Sequence, residues 1–188
     1  KQYTTQEMWK LEKNFLAEVR DLRQTQGAIV CPELIERVIR NKPTIAPDQE
    51  KAVRQLLESD SRIRVMTGVA GAGKSFALDA VREGLEKSGY RVSGGALAAV
   101  AKEELAEKAQ IKSRTVASYL YQLDKSFAQA IKSEVNQAAK QLIRALQGKE
   151  TRGQTKLKLD GRDVLIVDEA GMLDTRTLYR LCREVRKS

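Results

Sequence analysis

The first 43 residues carry apolar side chains at intervals of three and four, the spacing of helices with one buried face. Thr4 and Glu7 have the separation of a capping box, so a first helix is predicted to begin at Thr4 and to end near Gly27. A second, short helix is predicted after Pro32. The face of the first helix that is expected to be buried comprises Met8, Leu11, Phe15, Val19 and Leu22.

Beyond residue 43, short apolar runs alternate with helical periodicity. Each predicted strand is a short run rich in apolar or β-branched residues, and the runs cover residues 62–67, 90–93 and 164–167. One helix is predicted to start at Pro47, and four more are predicted at about residues 73–88, 98–109, 115–123 and 126–146. A last helix is predicted to be capped by Asp174 or Thr175. Residues 148–162 hold three glycines and are predicted to form a loop or a weak hairpin. Strands that alternate with helices favour an α/β fold with a parallel sheet.

The composition excludes several chemistries. The chain of 188 residues is long enough for one ordinary domain, and it contains no histidine, so a histidine base or a histidine metal cluster is impossible. Its two cysteines, Cys31 and Cys182, are far apart and form no CxxC pair, which argues against a zinc site or a disulfide framework. No apolar run approaches the roughly 18 residues of a membrane span, so a cytoplasmic protein is expected.

The charge is unevenly distributed along the chain. Six of the nine net positive charges fall within residues 101–162. A local basic excess favours a polyanionic partner, because lysine and arginine release counterions from phosphates. A solvated helix face richer in lysine than in glutamate would give the same count, and both interpretations remain open.

One motif carries the strongest chemical signal. Residues 68–75 read Gly-Val-Ala-Gly-Ala-Gly-Lys-Ser and match G-x-x-x-x-G-K-[ST] without a departure. The glycines let the backbone N–H groups curl around an anion, and the helix that follows adds the positive end of its dipole. Lys74 would reach the β- and γ-phosphates, and the Ser75 hydroxyl would bind Mg²⁺. The motif therefore predicts a nucleotide site with ATP and Mg²⁺ as ligands.

A pair of carboxylates supplies the second half of that site. Asp168 and Glu169 directly follow the apolar run at residues 164–167, at the carboxyl end of a predicted strand, where ligands sit in open α/β sheets. Asp168 can hold Mg²⁺, and Glu169 can orient or deprotonate an attacking water. The same two residues could instead only cap the next helix. Two carboxylates after a phosphate loop favour hydrolysis, and we expect Lys74, Asp168 and Glu169 to be the catalytic residues.

The order of these motifs resembles a known family. Gln49, the loop at residues 68–75, Thr115 and the Val-Asp-Glu-Ala-Gly at residues 167–171 follow one another as in RecD-like superfamily-1 DNA helicases. The similarity is greatest to the helicase part of TraA/TraI-type conjugative relaxases of the MobA/MobL-like kind. It implies an α/β P-loop NTPase fold, a RecA-like lobe over residues 44–188 with a basic helical insertion at about 101–162, placed after a helical extension over residues 1–43. In the family a serine or threonine usually stands where this chain has Ala46, which removes a hydroxyl cap.

The resemblance also implies roles for individual residues. Gln49 would read adenine, which the resemblance favours over the alternative of an ordinary solvent-facing side chain on a helix. The nucleotide-binding set is Gln49, Gly68, Val69, Ala70, Gly71, Ala72, Gly73, Lys74, Ser75 and Phe76, with Ser75 and Asp168 as magnesium ligands. Residues 95–101 and 113–118 resemble motifs that bind the DNA strand, and they make Ala98, Lys102, Arg114 and Thr115 candidates for single-stranded DNA contacts. Thr115 could also simply cap a helix.

These observations predict the first motor lobe of an ATP-dependent DNA helicase of conjugative transfer, which would meet other transfer proteins. The chain has no initiator methionine and stops soon after Glu169, so we expect a fragment of a longer protein, truncated after the Walker B motif and weak as an ATPase alone. A relaxase centre needs a histidine cluster, which this sequence lacks. Two rivals remain: a non-catalytic DNA-binding or secretion-recognition module with a vestigial nucleotide site, and a small-molecule kinase.

Overall fold

The computed structural model describes residues 5–69, 71–123 and 160–187. The helices have the following bounds: α1 Gln6–Gln24, α2 Pro32–Arg40, α3 Pro47–Glu58, α4 Lys74–Lys87, α5 Ala99–Lys108, α6 Val116–Leu123 and α7 Thr175–Lys187. The helix predicted at residues 126–146 and nearly all of the loop predicted at 148–162 lie outside the described residues. In the part of the chain that is described, no helix is long and apolar enough to cross a bilayer.

Three parallel strands form the sheet, in the order β2–β1–β3: β1 Arg91–Ala96, β2 Ser113–Thr115 and β3 Asp163–Val167. In the register, Gly95 of β1 is opposite Arg114 of β2 and Val167 of β3. Because all three strands run the same way, their carboxyl ends share one edge of the sheet. The predicted α/β fold with a parallel sheet is confirmed.

The largest apolar core lies between helices α2, α3 and α4 and the start of the strands. Each helix buries residues at helical spacing, as the sequence pattern predicted, among them Ile35, Val38, Val53, Leu57, Val81 and Leu85. Val92 of β1 and Val164 of β3 pack against the same cluster. Two smaller clusters surround Leu105 of α5 and Tyr119 of α6. Helix α4 is thus held against the sheet by its buried side.

The strand predicted at residues 62–67 is wrong. These residues begin with a bend and have no strand pairing, and Val65 is 80% exposed. A strand needs a hydrogen-bonding neighbour, and neither outer strand of the described sheet, β2 or β3, pairs with this segment. The segment is tied instead to the chain ahead of it, where the Arg62 N–H donates to the carbonyls of Leu22 and Thr25. Only Met66 of this run packs against the main core.

Two details of the N-terminal helix also differ from the prediction. Helix α1 is capped by Thr5, whose hydroxyl accepts from the Met8 N–H at 3.2 Å, whereas Thr4 lies outside the described residues. Met8 was expected in the buried stripe but is 39% exposed. The reason is that α1 packs against α7, and this contact buries the other end of the helix at Glu18 and Leu22.

Glu18 and Cys182 show how α1 meets α7. One carboxylate oxygen of Glu18 accepts from Arg186 at 3.2 Å, and the residue is 7% exposed. Burial, together with the charge of Glu18, raises the pKa of the Cys182 thiol to about 11. The contact joins the N-terminal helix to the last described helix.

The short strand β2 was missed. Residues 113–115 pair with β1, although a helix was predicted to start at Thr115. A run of three residues is too short to show the alternation that identifies a strand. The helix begins one residue later, and the Thr115 hydroxyl accepts from the Ser118 N–H at 3.1 Å.

Candidate nucleotide site

The phosphate loop joins the segment at residues 62–67 to α4. Gly71 and Gly73 have φ angles of +79° and +74°, in the left-handed region that favours glycine. The loop closes on itself through a hydrogen bond from the Ala72 N–H to the Val69 carbonyl at 3.3 Å. Gly68 and Val69 are exposed, and Ala70 lies outside the described residues. Two glycines of the motif therefore lie at the positions where the turn has a positive φ.

Lys74 begins α4 and folds back over the loop. Its ammonium donates to the Gly68 carbonyl at 3.0 Å and to the Val69 carbonyl at 3.1 Å. Ser75 and Phe76 follow in the first turn, where unpaired N–H groups and the helix dipole favour an anion. The cation is therefore positioned within the loop and can move to a phosphate by exchanging one set of oxygen acceptors for another.

Gln49 touches the loop from α3. Its Nε2 donates to the Ala72 carbonyl at 3.0 Å, and its Oε1 accepts from the Ala46 N–H at 3.1 Å. A Cβ added to Gly73 would collide with that Nε2. The sequence predicted that Gln49 belongs to the site, but nothing in it indicated a contact with the loop backbone.

The segment that leads into the loop is fixed by Arg64. Its guanidinium donates to three backbone carbonyls, those of Ala28, Leu56 and Ser61. Burial lowers the pKa of Arg64. These bonds connect the approach to the loop with the linker after α1 and with the end of α3. This role was not predicted from the sequence, because a charged arginine in a predicted strand is expected to face the solvent.

Helix α4 runs antiparallel to the strands that it covers. Val81 and Leu85, in its C-terminal half, share a core with Val164 at the start of β3. Leu78, nearer its N-terminus, shares a cluster with Ile166, further along that strand. The helix is roughly 21 Å long and β1 roughly 20 Å. Only residues 88–90 separate the end of α4 from the start of β1, so a helix that packs on the sheet must begin toward the edge where the strands have their carboxyl ends.

Asp168 and Glu169 stand at that edge, directly after β3. The Asp168 N–H donates to the Gly95 carbonyl at 2.9 Å, which anchors the residue beside β1. The Asp168 carboxylate accepts from the Glu169 N–H at 2.9 Å. Glu169 is exposed and has a φ of +51°, a strained conformation for a residue with a side chain. Such strain is often found at functional sites, and it was not visible in the sequence.

Asp168 and Glu169 do not simply cap the next helix. Helix α7 is capped by Asp174, whose carboxylate accepts from the Thr177 N–H at 3.0 Å and from the Thr177 hydroxyl at 2.6 Å. The hydroxyl contact, followed by backbone bonds, lowers the pKa of Asp174. The acidic pair precedes a short 3-10 turn, Ala170–Met172, and is left available for another role.

The donor set suits magnesium. The described residues contain no group of three or more acidic or cysteine side chains that could hold a metal ion by themselves. Mg²⁺ is usually bound through one or two protein ligands together with substrate phosphates and water, so the Ser75 hydroxyl and the Asp168 carboxylate fit it. A site for a transition metal would need nitrogen or sulfur ligands.

Two of the four DNA-contact candidates, Ala98 and Thr115, lie at the carboxyl edge of the sheet. Ala98 follows β1 and caps α5, and Thr115 ends β2 beside Ala96. Arg114 is exposed and donates to Gln122 at 2.7 Å, and Lys102 is half-buried on α5. The sheet thus carries Asp168, Ala98 and Thr115 at the ends of three neighbouring strands. Contact with DNA and binding of ATP at these residues stay predictions.

The family is established by comparison of the sequence. Residues 44–188 match the model of the AAA domain, so the chain belongs to this family of P-loop NTPases. AAA domains generally bind ATP with Mg²⁺.

Three similar proteins, all named as conjugal transfer proteins, narrow the class of protein within this family. The chain is 30% identical over 176 residues to the conjugal transfer protein TraA of Rhizobium radiobacter and 31% identical to the probable conjugal transfer protein TraA of Sinorhizobium fredii. The TraA protein of Agrobacterium fabrum is 28% identical. Each match covers 94% of this chain but 13% of the relative. The resemblance to the helicase part of TraA-type relaxases is confirmed. No solved structure matches significantly.

Proposed function

We propose that this chain is the ATP-binding first motor lobe of a DNA helicase in a conjugative transfer protein, and that it binds ATP–Mg²⁺ and single-stranded DNA. The observation that carries the proposal is the phosphate loop, with glycines at positive φ, an ammonium folded over its carbonyls and a helix beginning at its end. The relatives named above are conjugal transfer proteins, which supports the biological setting.

The direction of α4 supports a single site made of two parts. Because the short turn after α4 leads into the start of β1, Lys74 and Ser75 would lie at the same edge of the sheet as Asp168 and Glu169. A triphosphate bound in the loop would then extend its terminal phosphate toward the acidic pair. Bound Mg²⁺ would neutralise charge on the phosphate oxygens.

Each side chain has a distinct task in hydrolysis. Lys74 would leave the carbonyls of Gly68 and Val69 and neutralise the β- and γ-phosphates. Asp168 and Ser75 would hold the magnesium ion. Glu169 would accept a proton from the attacking water, whose oxygen forms a bond to the γ-phosphorus as the bond to ADP breaks.

Single-stranded DNA would follow the neighbouring strand ends. Ala98 follows β1, the neighbour of the strand that precedes Asp168, and Thr115 ends β2 on the other side of β1. Arg114 of β2 adds an exposed cation. DNA and nucleotide would therefore occupy adjacent positions on one edge of the sheet. This arrangement would couple hydrolysis to the grip on the strand.

The first experiment measures ATP–Mg²⁺ binding by isothermal titration calorimetry. Lys74→Ala should weaken binding by about 10- to 150-fold, because a charge-assisted bond to phosphate contributes about 1.5–3 kcal/mol. Lys87→Ala is the matched control, since Lys87 is on the same helix but pairs with Glu83 at 2.6 Å near its other end. A wild-type chain that binds no ATP–Mg²⁺ would favour the non-catalytic module, and transfer of phosphate to a small acceptor would favour a kinase.

The second experiment follows phosphate release with and without single-stranded DNA. Wild type should show weak hydrolysis at most, and Glu169→Gln should abolish it while leaving ATP affinity within about twofold. Arg114→Ala should weaken DNA binding modestly and reduce its salt dependence, because one phosphate contact is lost. Hydrolysis that persists in Glu169→Gln would exclude that carboxylate as the base.

A further inference from the structure

We propose that Gln49 is a positioning residue for the phosphate loop, and that its loss weakens binding of the phosphate chain itself rather than recognition of a base. The proposal rests on the proposed function, because it needs the loop to bind polyphosphate. It differs from the role in reading adenine that the family resemblance implies. The evidence is the pair of hydrogen bonds made by the Gln49 amide.

The two bonds fix the amide in one orientation. Oε1 is opposite the N–H of Ala46, which can only donate, and Nε2 is opposite the carbonyl of Ala72, which can only accept. Rotating the amide by half a turn would place two donors together and two acceptors together. Gln49 therefore forms a bridge with a defined direction from the first turn of α3 to the loop.

The α3 end of this bridge is rigid. Val53 and Leu57 of α3 are fully buried in the main core. Arg54 joins the helix to α2 through Glu36 and also pairs with Glu50 at 2.8 Å. A group attached to this helix can therefore hold a flexible neighbour in place.

The loop end of the bridge needs such support. Gly71 and Gly73 give the loop many accessible conformations. Apart from its two chain neighbours, no described residue has an atom within 4 Å of the position that a Cβ would take at Gly71. At Gly73 the nearest group is Nε2 of Gln49. The bond to the Ala72 carbonyl thus restrains the residue between the two glycines. An ordered loop gives up less conformational entropy when it binds phosphate.

The test compares three ligands, each with Mg²⁺: ATP, GTP and inorganic tripolyphosphate. Gln49→Met keeps the length of the side chain and removes both hydrogen bonds. We expect its affinity for all three ligands to fall by the same factor. That factor is about 2- to 12-fold, because one ordinary hydrogen bond to the loop, the bond to the Ala72 carbonyl, is lost. The ratio of ATP to GTP affinity should stay as in wild type.

Gln55→Ala is the matched control, since Gln55 is exposed on the same helix and should leave all affinities unchanged. Thermal unfolding checks that each variant is folded, and Gln49→Ala removes the same two bonds if the methionine variant does not fold. A loss confined to ATP, with tripolyphosphate binding intact, would overturn the proposal and leave Gln49 as a reader of the base. If wild type bound none of the three ligands, the proposed function would fail first and this inference with it.

Discussion

Two glycine turns flank helix α4, and they are built differently. At its C-terminus, Gly89 has a φ of +86°, and the N–H groups of Gly89 and Tyr90 donate to the carbonyls of Glu86 and Leu85. This is a Schellman motif, completed by the packing of Tyr90 and Leu85 in one core. At its N-terminus, Gly73 is also left-handed, but its loop is held mainly by side chains, those of Gln49 and Lys74.

The difference is the one that the proposed nucleotide site requires: one turn is closed by its own backbone, and the other is closed mainly by side chains. In the Schellman turn, backbone groups satisfy one another, so nothing is left to bind a ligand. In the phosphate loop, one carbonyl accepts from the Gln49 amide and two accept from the Lys74 ammonium, and the Lys74 side chain can move. A ligand with phosphate oxygens can therefore replace the loop carbonyls as the partner of Lys74.

The largest effect is expected at Gly73. Gly73→Ala places a Cβ at a positive φ and against Gln49, so the loop must change shape. Strain of about 1–2 kcal/mol and a lost hydrogen bond of about 1 kcal/mol predict ATP binding about 30- to 150-fold weaker. The measurement is calorimetric titration. Unfolding in urea should hardly change, and a variant that binds ATP as wild type does would show that the loop tolerates another shape.

The second-largest effect is expected at Asp79, which anchors the middle of α4 through its ion pairs. Asp79 accepts from Lys42 at 2.5 Å and from Arg82 at 2.6 Å, and its side chain is 14% exposed. Asp79→Asn leaves two cations short of a partner and should lower the free energy of unfolding by about 1–3 kcal/mol, measured in urea. The exposed Glu86→Gln is the control and should cost less than about 1 kcal/mol.

Asp79 also predicts a pH dependence. Burial opposes its ionisation, but hydrogen bonds from Lys42 and Arg82 outweigh burial and keep the pKa of Asp79 below the ordinary value. Its contribution to stability is therefore complete above the ordinary aspartate pKa of about 3.9 and is lost as the pH falls through the lower folded-state value. Stability measured from pH 6 down to pH 3 should fall less steeply in Asp79→Asn. If stability falls with pH at the same rate in wild type and in Asp79→Asn, Asp79 does not contribute to the pH dependence.

The smallest effect is expected at the Schellman turn. Gly89→Ala puts a side chain at a φ of +86°, although the space around it is open. The cost should be about 1 kcal/mol in the free energy of unfolding, with ATP affinity unchanged. A fall in ATP affinity equal to that of Gly73→Ala would mean that the two turns do not differ in function.

The sequence predicted well those parts in which one residue type is required locally. The positions of the loop glycines, of Lys74 and Ser75 at the start of a helix and of the acids after an apolar strand follow from such requirements, and so do the helices α2, α3 and α4. Pairing and contact depend on other parts of the chain, which is why the strand at 62–67 was wrong and β2 was missed. The bonds of Gln49 to Ala72 and of Arg64 to three carbonyls depend on tertiary structure, and no local pattern encodes them.

The measurement that tests the central claim most directly is the magnesium dependence of ATP binding in Asp168→Asn. Titration with and without Mg²⁺ gives the factor by which the ion strengthens binding. Asp160→Asn is the matched control, because Asp160 is exposed beside the opposite end of β3, where it pairs with Arg91. If the loop and the acidic pair form one site, Asp168→Asn loses the magnesium enhancement and keeps its affinity for ATP without the ion. An enhancement equal to that of wild type would contradict the account.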